Sequence, residues 1–99
     1  MARFDVYRLK TDQALAMDIQ ADLLDRLETR IVIPLLCIDD FAEPVMRLNP
    51  RVAIDGTVYH LITHMMGSIP VKEIAGTVGN LSAQYDEIVS AVDLLFQGF

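Results

Sequence analysis

Apolar and polar residues alternate over 2–9 (ARFDVYRL), with Phe4 and Val6 on one face and Tyr7 and Leu9 on the other, a period of two that predicts a strand. The polar stretch 10–13 (KTDQ) predicts a turn. Alternation resumes over 15–20 (LAMDIQ), where Leu15, Met17 and Ile19 oppose Asp18 and Gln20, so the first two strands are expected to form a hairpin. Residues 22–25 (DLLD) read as a short connecting element and 27–29 as a turn. Residues 30–36 are continuously apolar after Arg30, as in a strand covered on both faces. Pro34 has no donor for a ladder and is expected at that strand's end, at a bulge or at an edge. The segment 39–49 (DDFAEPVMRLN) predicts a loop with a short strand around 45–48.

The strongest hairpin signal is RVAIDGTVYHLI, residues 51–62, because Asp55-Gly56 supplies the positive φ angles of a two-residue type I′ turn. That turn pairs Ile54 with Thr57, Val52 with Tyr59 and Arg51 with His60. Val52, Ile54, Tyr59 and Leu61 then share a core face, and Ala53, Val58, His60, Ile62 and His64 share a mixed one. Residues 68–71 (SIPV) predict a turn, and 71–78 a short strand or helical turn interrupted at Gly76.

Residues 82–99 change period. Tyr85, Ile88, Val89, Val92, Leu95, Phe96 and Phe99 fall within a stripe roughly 120° wide at helical spacing. Ser82 is the expected N-cap, Asp86 and Glu87 suit the positive end of the helix dipole, and Gly98 can close the helix in a left-handed conformation. Leu94 falls on the opposite face with Glu87, Ser90 and Gln97, so an apolar residue is expected in solvent near the tip. Short strands followed by one helix predict a mainly β fold, a small antiparallel barrel or paired sheets, as one domain over 1–99.

Composition adds an interface. The hydrophobic share of 53% exceeds the usual range, and a domain of this size has little interior for it. A homo-oligomer is expected, most simply a two-fold dimer. The net charge of −6 with scattered Lys and Arg argues against tight nucleic-acid binding and suits a basic partner. The single Cys37 leaves no internal disulfide framework and reads as a buried inert thiol. No basic start followed by an apolar signal segment is present, and no apolar run approaches the ~20 residues of a membrane span, which predicts no membrane association and a cytoplasmic location.

Candidate chemistry is thin. His60 and His64 on one strand would lie about 13 Å apart, too far for one ion held by imidazoles at about 2 Å, so they read as surface or interface residues. Asp18, Asp22 and Asp25 read as solvated acids, with no signal that brings two together. Nucleophile elbows, HExxH, P-loops and GxGxxG are absent from the sequence. The expectation is a protein without metal or cofactor that is not an enzyme.

Several stretches in order, FDVY at 4–7, MDIQADLLD at 17–25, RIVIPL at 30–35, SIPV at 68–71 and LLFQGF at 94–99, resemble the CcdB toxins of bacterial toxin–antitoxin modules across essentially the whole chain. The resemblance implies a homodimer of small SH3-like barrel subunits, each with a C-terminal helix. It implies a poison that binds the DNA gyrase A subunit, traps the gyrase–DNA cleavage complex and is neutralised by a cognate CcdA-like antitoxin. The family's gyrase-contacting residues are the last three, commonly Trp-Gly-Ile, which match Gln97, Gly98 and Phe99 here; Leu94 joins them at the tip. Losing a large interface aromatic costs about 2 kcal/mol or more, so Gln97 marks a departure at the contact. Leu95 is the expected dimer contact, and Arg8, Lys10, Asp12, Phe41 and Arg47 are the expected antitoxin flanks.

Two other readings compete. A related toxin family with a similar barrel cleaves RNA, a reading that would draw on Arg30, Arg51 or His60. A degenerate relative could bind antitoxin without poisoning gyrase, for which Gln97 is the motive.

Overall fold

In a computed structural model, residues 1–40 and 43–98 are described. Seven strands form one antiparallel sheet: β1 Asp5–Leu9, β2 Leu15–Asp18, β3 Thr29–Cys37, β4 Arg51–Ile54, β5 Thr57–Leu61, β6 Gly67–Pro70 and β7 Ile74–Asn80. The order is β4-β5-β3-β2-β1-β7, with β6 also paired to β3, and the chain ends in the helix α1, Tyr85–Gln97. No β4–β7 ladder is present among the described residues, so the sheet is a half-barrel. Its two edges still approach closely: a Cβ at Gly79 would stand 3.1 Å from Ile54 Cδ1.

The concave face holds Phe4, Val6, Met17, Ile33, Leu35, Val52, Ile54, Leu61 and Leu81, and α1 adds Ile88. This is the set that alternation places on one side of each strand. The β4–β5 hairpin has the expected register, and its turn residues Asp55 and Gly56 have φ of 50° and 82°. The β1–β2 hairpin pairs Val6 with Met17 and Tyr7 with Ala16.

The convex face is buried as well. Tyr7, Ala16 and Val32 form a second cluster with Leu9, Ile69 and Ile74 packed against it. The same face contains a polar network. Register sets Asp18 opposite Val32, so Arg30 is its diagonal neighbour on the same face, and Tyr7, opposite Ala16, is its diagonal neighbour on the other strand. The Tyr7 hydroxyl and Arg30 Nε donate to Asp18 Oδ2 at 2.5 and 2.7 Å, and the Gln20 amide donates to Oδ1 at 2.9 Å. Asp18 and Arg30 are both 0% exposed. Gln20 extends the network, accepting from the Ile31 amide and donating to the Leu24 carbonyl.

Several local expectations need correction. Residues 45–48 are a turn closed by Asn49, whose Oδ1 accepts from the Val45 amide at 3.0 Å, rather than a strand. Residues 67–70 are not a turn but strand β6, because β3 is long enough to take a second partner at its start. Pro34 lies inside β3, where its carbonyl accepts from the Ile62 amide at 2.9 Å. A residue's N and C=O point to the same side of a strand, so the missing donor faces the gap between β6, paired to residues 29–32, and β5, paired to 35–37. His60 is buried, with Nδ1 3.1 Å from the Asn49 carbonyl oxygen, and is not a surface histidine. Cys37 is half-buried and free, less covered than the flanking apolar run suggests.

Burial, reinforced by its bond to Asp18, pushes the Tyr7 phenol above its ordinary value near 10. The Asp18 bond raises the Arg30 guanidinium, against the opposing effect of burial. Removing one member of a buried ion pair strands the other charge, so Asp18→Ala is expected to lower unfolding free energy by about 3–5 kcal/mol in urea titrations. Because the folded phenol holds its proton more tightly than the unfolded one, Tyr7 contributes stability that is fully present below about pH 10 and is lost as pH rises through the higher folded value. The urea midpoint of the wild type is therefore expected to fall steeply above about pH 10, and that of Tyr7→Phe to fall less over the same window.

Candidate functional site

The tip of α1 is built from the helix's own periodicity and from where its cover ends. A 3-10 turn, Ser82–Gln84, leads into the helix, so the N-cap is Gln84 and not the expected Ser82, and no side chain caps it. Asp86 and Glu87 occupy the first turn as expected. Ile88 and Ala91 are buried, and Val89 and Val92 pack against the concave core. Tyr85 sets its ring edge against Phe4, with centroids 5.6 Å apart.

Beyond Val92 the cover thins. Leu94 and Leu95 are half-buried, Gln97 and Gly98 are exposed, and Phe96 is 68% exposed. Phe96 was expected in the core stripe and Leu94 in solvent. Both are corrected, because periodicity gives a side chain's direction but not what stands opposite it. Gly98 has φ of 81°, and its amide donates to the Leu94 carbonyl at 3.0 Å, the left-handed closure the sequence predicts. A Cβ there would meet nothing within 4 Å, so glycine is required for the backbone angle and not for space. Phe99 lies outside the described residues.

The expected antitoxin flanks fall in separate places. Arg8 donates through Nη1 to the Gln13 carbonyl at 3.2 Å, the Lys10 amide donates to the Glu73 carbonyl, and Asp12 Oδ1 accepts from the Ala14 amide at 3.0 Å. The amide and hydroxyl of Thr11 both bond Glu73, so this hairpin loop is tied to the turn before β7. Asp12 borders a groove of about 250 Å³ on the convex face with Leu9, Ala14, Val32 and Ile69. Arg47 is exposed beside a different cavity, with Glu87 and Ser90 of α1. Phe41 lies outside the described residues.

Asp18 and Arg30 are the residues sequence reading misjudged most. The first is not a solvated acid, and the second cannot reach a phosphate from full burial. The available signal was a charged residue opening an otherwise apolar strand beside an acid in the strand before it. Leu23, 91% exposed in the 3-10 turn Asp22–Leu24, was also missed. His64 sits in the 3-10 turn Thr63–Met65 rather than on a strand with His60. Among the described residues no cluster of three His, Cys, Asp or Glu could hold a metal, and no helix is long and apolar enough to cross a membrane.

The chain is a small antiparallel half-barrel that buries one face of a C-terminal helix and leaves the last turn of that helix largely exposed. The model of the CcdB family, described as CcdB protein, matches residues 3–98, and the chain belongs to that family of toxin–antitoxin toxins. Among solved structures it is similar to a mycobacterial endoribonuclease in complex with its cognate antitoxin, at 12% identity and a TM-score of 0.78 over 96% of this chain and 93% of that one. It is likewise similar to the Mycobacterium tuberculosis toxin MazF-mt6, at 13% identity and a TM-score of 0.77 over 93% of this chain and 95% of that one. A further mycobacterial endoribonuclease matches at 14% identity and a TM-score of 0.74, over 96% of this chain and 89% of that one. These likenesses are of fold. They overturn the expectation that the chain is not an enzyme, since that expectation rested on missing motifs and two of these neighbours are named endoribonucleases on the same fold.

Gly98→Val would place a β-branched residue at φ of 81°. It is expected to fray the last helical turn at a cost of about 1–2 kcal/mol to local structure. Faster amide exchange at 94–97 with little change in the global unfolding midpoint is the measurement that checks it.

Proposed function

We propose that this chain is the toxin of a type II toxin–antitoxin pair whose helix tip docks on the DNA gyrase A subunit and holds the gyrase–DNA cleavage complex. The observation that carries the reading is Phe96, 68% exposed at the end of a helix whose Ile88, Val89 and Val92 pack into the core. An exposed aromatic next to Gln97 and Gly98 supplies the large apolar anchor that interfaces use most, one position before the place where the family commonly has tryptophan. Gly98 in its left-handed conformation turns the backbone at the contact. Leu94, Gln97, Gly98 and Phe99 complete the surface, in a homodimer that presents two tips and contacts itself in part through Leu95. The protein acts in the cytoplasm, where gyrase and a CcdA-like antitoxin are found. The antitoxin partner is supported by the family and by the fold neighbour solved with its own antitoxin.

A second reading, RNA cleavage, is favoured by the same neighbours, whose barrels superpose on nearly the whole chain. The two readings separate by which nucleic acid is cut, DNA held by gyrase or free RNA. With purified gyrase and supercoiled DNA, added protein is expected to raise the yield of cleaved DNA. Phe96→Ala is expected to raise the concentration required at least ~30-fold, the equivalent of about 2 kcal/mol at an interface anchor. No rise in cleaved DNA at any concentration would overturn the gyrase reading. A relative that has kept antitoxin binding alone would bind an antitoxin peptide and allow continued growth on induced expression.

A further inference from the structure

A half-barrel leaves strand edges, and those of this sheet are not alike. Among the described residues β4, β6 and β7 each pair with one strand only. The β4 edge starts at Arg51, whose carbonyl accepts from Gln84 Nε2 at 3.0 Å, and ends at Ile54, which Gly79 approaches. The β7 edge is broken by two register shifts against β1, and bulges of this kind blunt an edge against further pairing. Strand β6 has neither defence. It meets β3 in four successive pairs, Thr29 with Pro70 through Val32 with Gly67, without a shift.

The outward groups of β6 follow from its ladder. The Val71 amide donates to the Glu28 carbonyl at 2.8 Å, one step beyond the last pair. Antiparallel bonding alternates, so Ile69 and Gly67 exchange bonds with Arg30 and Val32, and Ser68 and Pro70 turn their backbone groups away from β3. Ile31, opposite Ser68, agrees: its amide donates to Gln20 Oε1 and its carbonyl accepts from the Ile19 amide, both on the β2 side. Proline has no N–H, so Ser68 carries the one backbone donor on the outer edge of β6, with its own carbonyl beside it. Ser68 is exposed, and a Cβ at Gly67 would meet nothing within 4 Å.

Charge and sequence then select what covers this edge. Residues 56–72 hold no Asp or Glu, the longest such stretch in a chain of net charge −6. Two copies that repel each other through their acids meet at least cost here. Within that stretch 65–71, MMGSIPV, carries no charge, and Met65 is 61% exposed. Run antiparallel against itself about Ser68, the segment is self-complementary: Gly67 falls opposite Ile69 and Met66 opposite Pro70.

We propose that β6 is the surface through which two copies of this chain associate, edge to edge about a two-fold axis at Ser68. The proposal rests on the homodimer in the reading above and assigns it a surface. The Ser68 amide of each copy donates to the Ser68 carbonyl of the other, which closes a pair of hydrogen bonds on the axis and joins the two sheets. Ile69 of each copy lies across Gly67 of the other, where no side chain stands in the way, at the mouth of the convex groove that both residues line. Because Pro70 leaves the edge one donor, affinity depends on the flanking side chains. A second copy brings an uncharged apolar flank to meet each of its own.

The test starts from Cys37→Ser protein, so that an introduced thiol is the sole one. Ser68→Cys is expected to form a symmetric disulfide in oxidised glutathione, since opposed residues of a bonded pair stand ~5.5 Å apart at Cα, within the disulfide range. Thr77→Cys, exposed on the β7 edge, is expected to run as a monomer on a non-reducing gel. Ser68→Pro removes no backbone bond within the protomer. By sedimentation it is expected to raise the dimer dissociation constant at least ~10-fold, the scale of two backbone hydrogen bonds. The disulfide result decides even if Ser68→Pro does not fold, which circular dichroism checks. Wild-type protein that sediments as a monomer at every concentration overturns the homodimer and this surface with it. A dimer that cross-links through Thr77→Cys and not Ser68→Cys, or that a folded Ser68→Pro leaves unchanged, keeps the homodimer and overturns the surface.

Discussion

One carboxylate organises the convex half of the molecule. Asp18 accepts from Tyr7, Arg30 and the Gln20 amide, and through them it joins strands β1, β2 and β3 and the loop that follows β2. The guanidinium of Arg30 is fully enclosed, so the arrangement holds together only while the carboxylate stays in place. Gln20 carries the constraint outward to Leu24 and Ile31, and the Arg3 amide bonds Asp22 at 2.7 Å. The exposed Leu23 therefore stands on a loop that is stitched to the sheet on both sides.

The concave half relies on shape instead. Phe4 takes φ of 74°, an unfavourable angle for an aromatic residue, and is held there by burial against Tyr85 and by backbone bonds to Asp18 and Leu81. Helix α1 lies over this side, with its middle anchored by Ile88 and Ala91 and its last residues, 96–98, exposed.

What was legible in the sequence follows the range of the forces involved. The Asp55-Gly56 turn, the alternation around Val6 and Met17, and the closing Gly98 are local, and each was read in the right place. The β6 strand over 67–70 was missed because its partner lies some forty residues earlier, and Ser-Ile-Pro-Val resembles a turn until β3 is beside it. Asp18 and Arg30 were misjudged for the same reason: polarity predicts exposure unless the opposite charge is known to be diagonal across a ladder. At the candidate site, the identity of the tip residues was readable, whereas the exposure of Phe96 depended on where the sheet ends.

Pro34 has a wider consequence. It occupies the middle of a strand whose far side changes partners, from β6 to β5, and its ring fills the position where an amide would otherwise face the junction. An unpaired amide at such a junction is an invitation to a foreign strand, because it offers a donor beside a row of backbone groups already aligned for pairing. By withholding that donor, the proline lets one strand change partners without leaving an unpaired amide at the break.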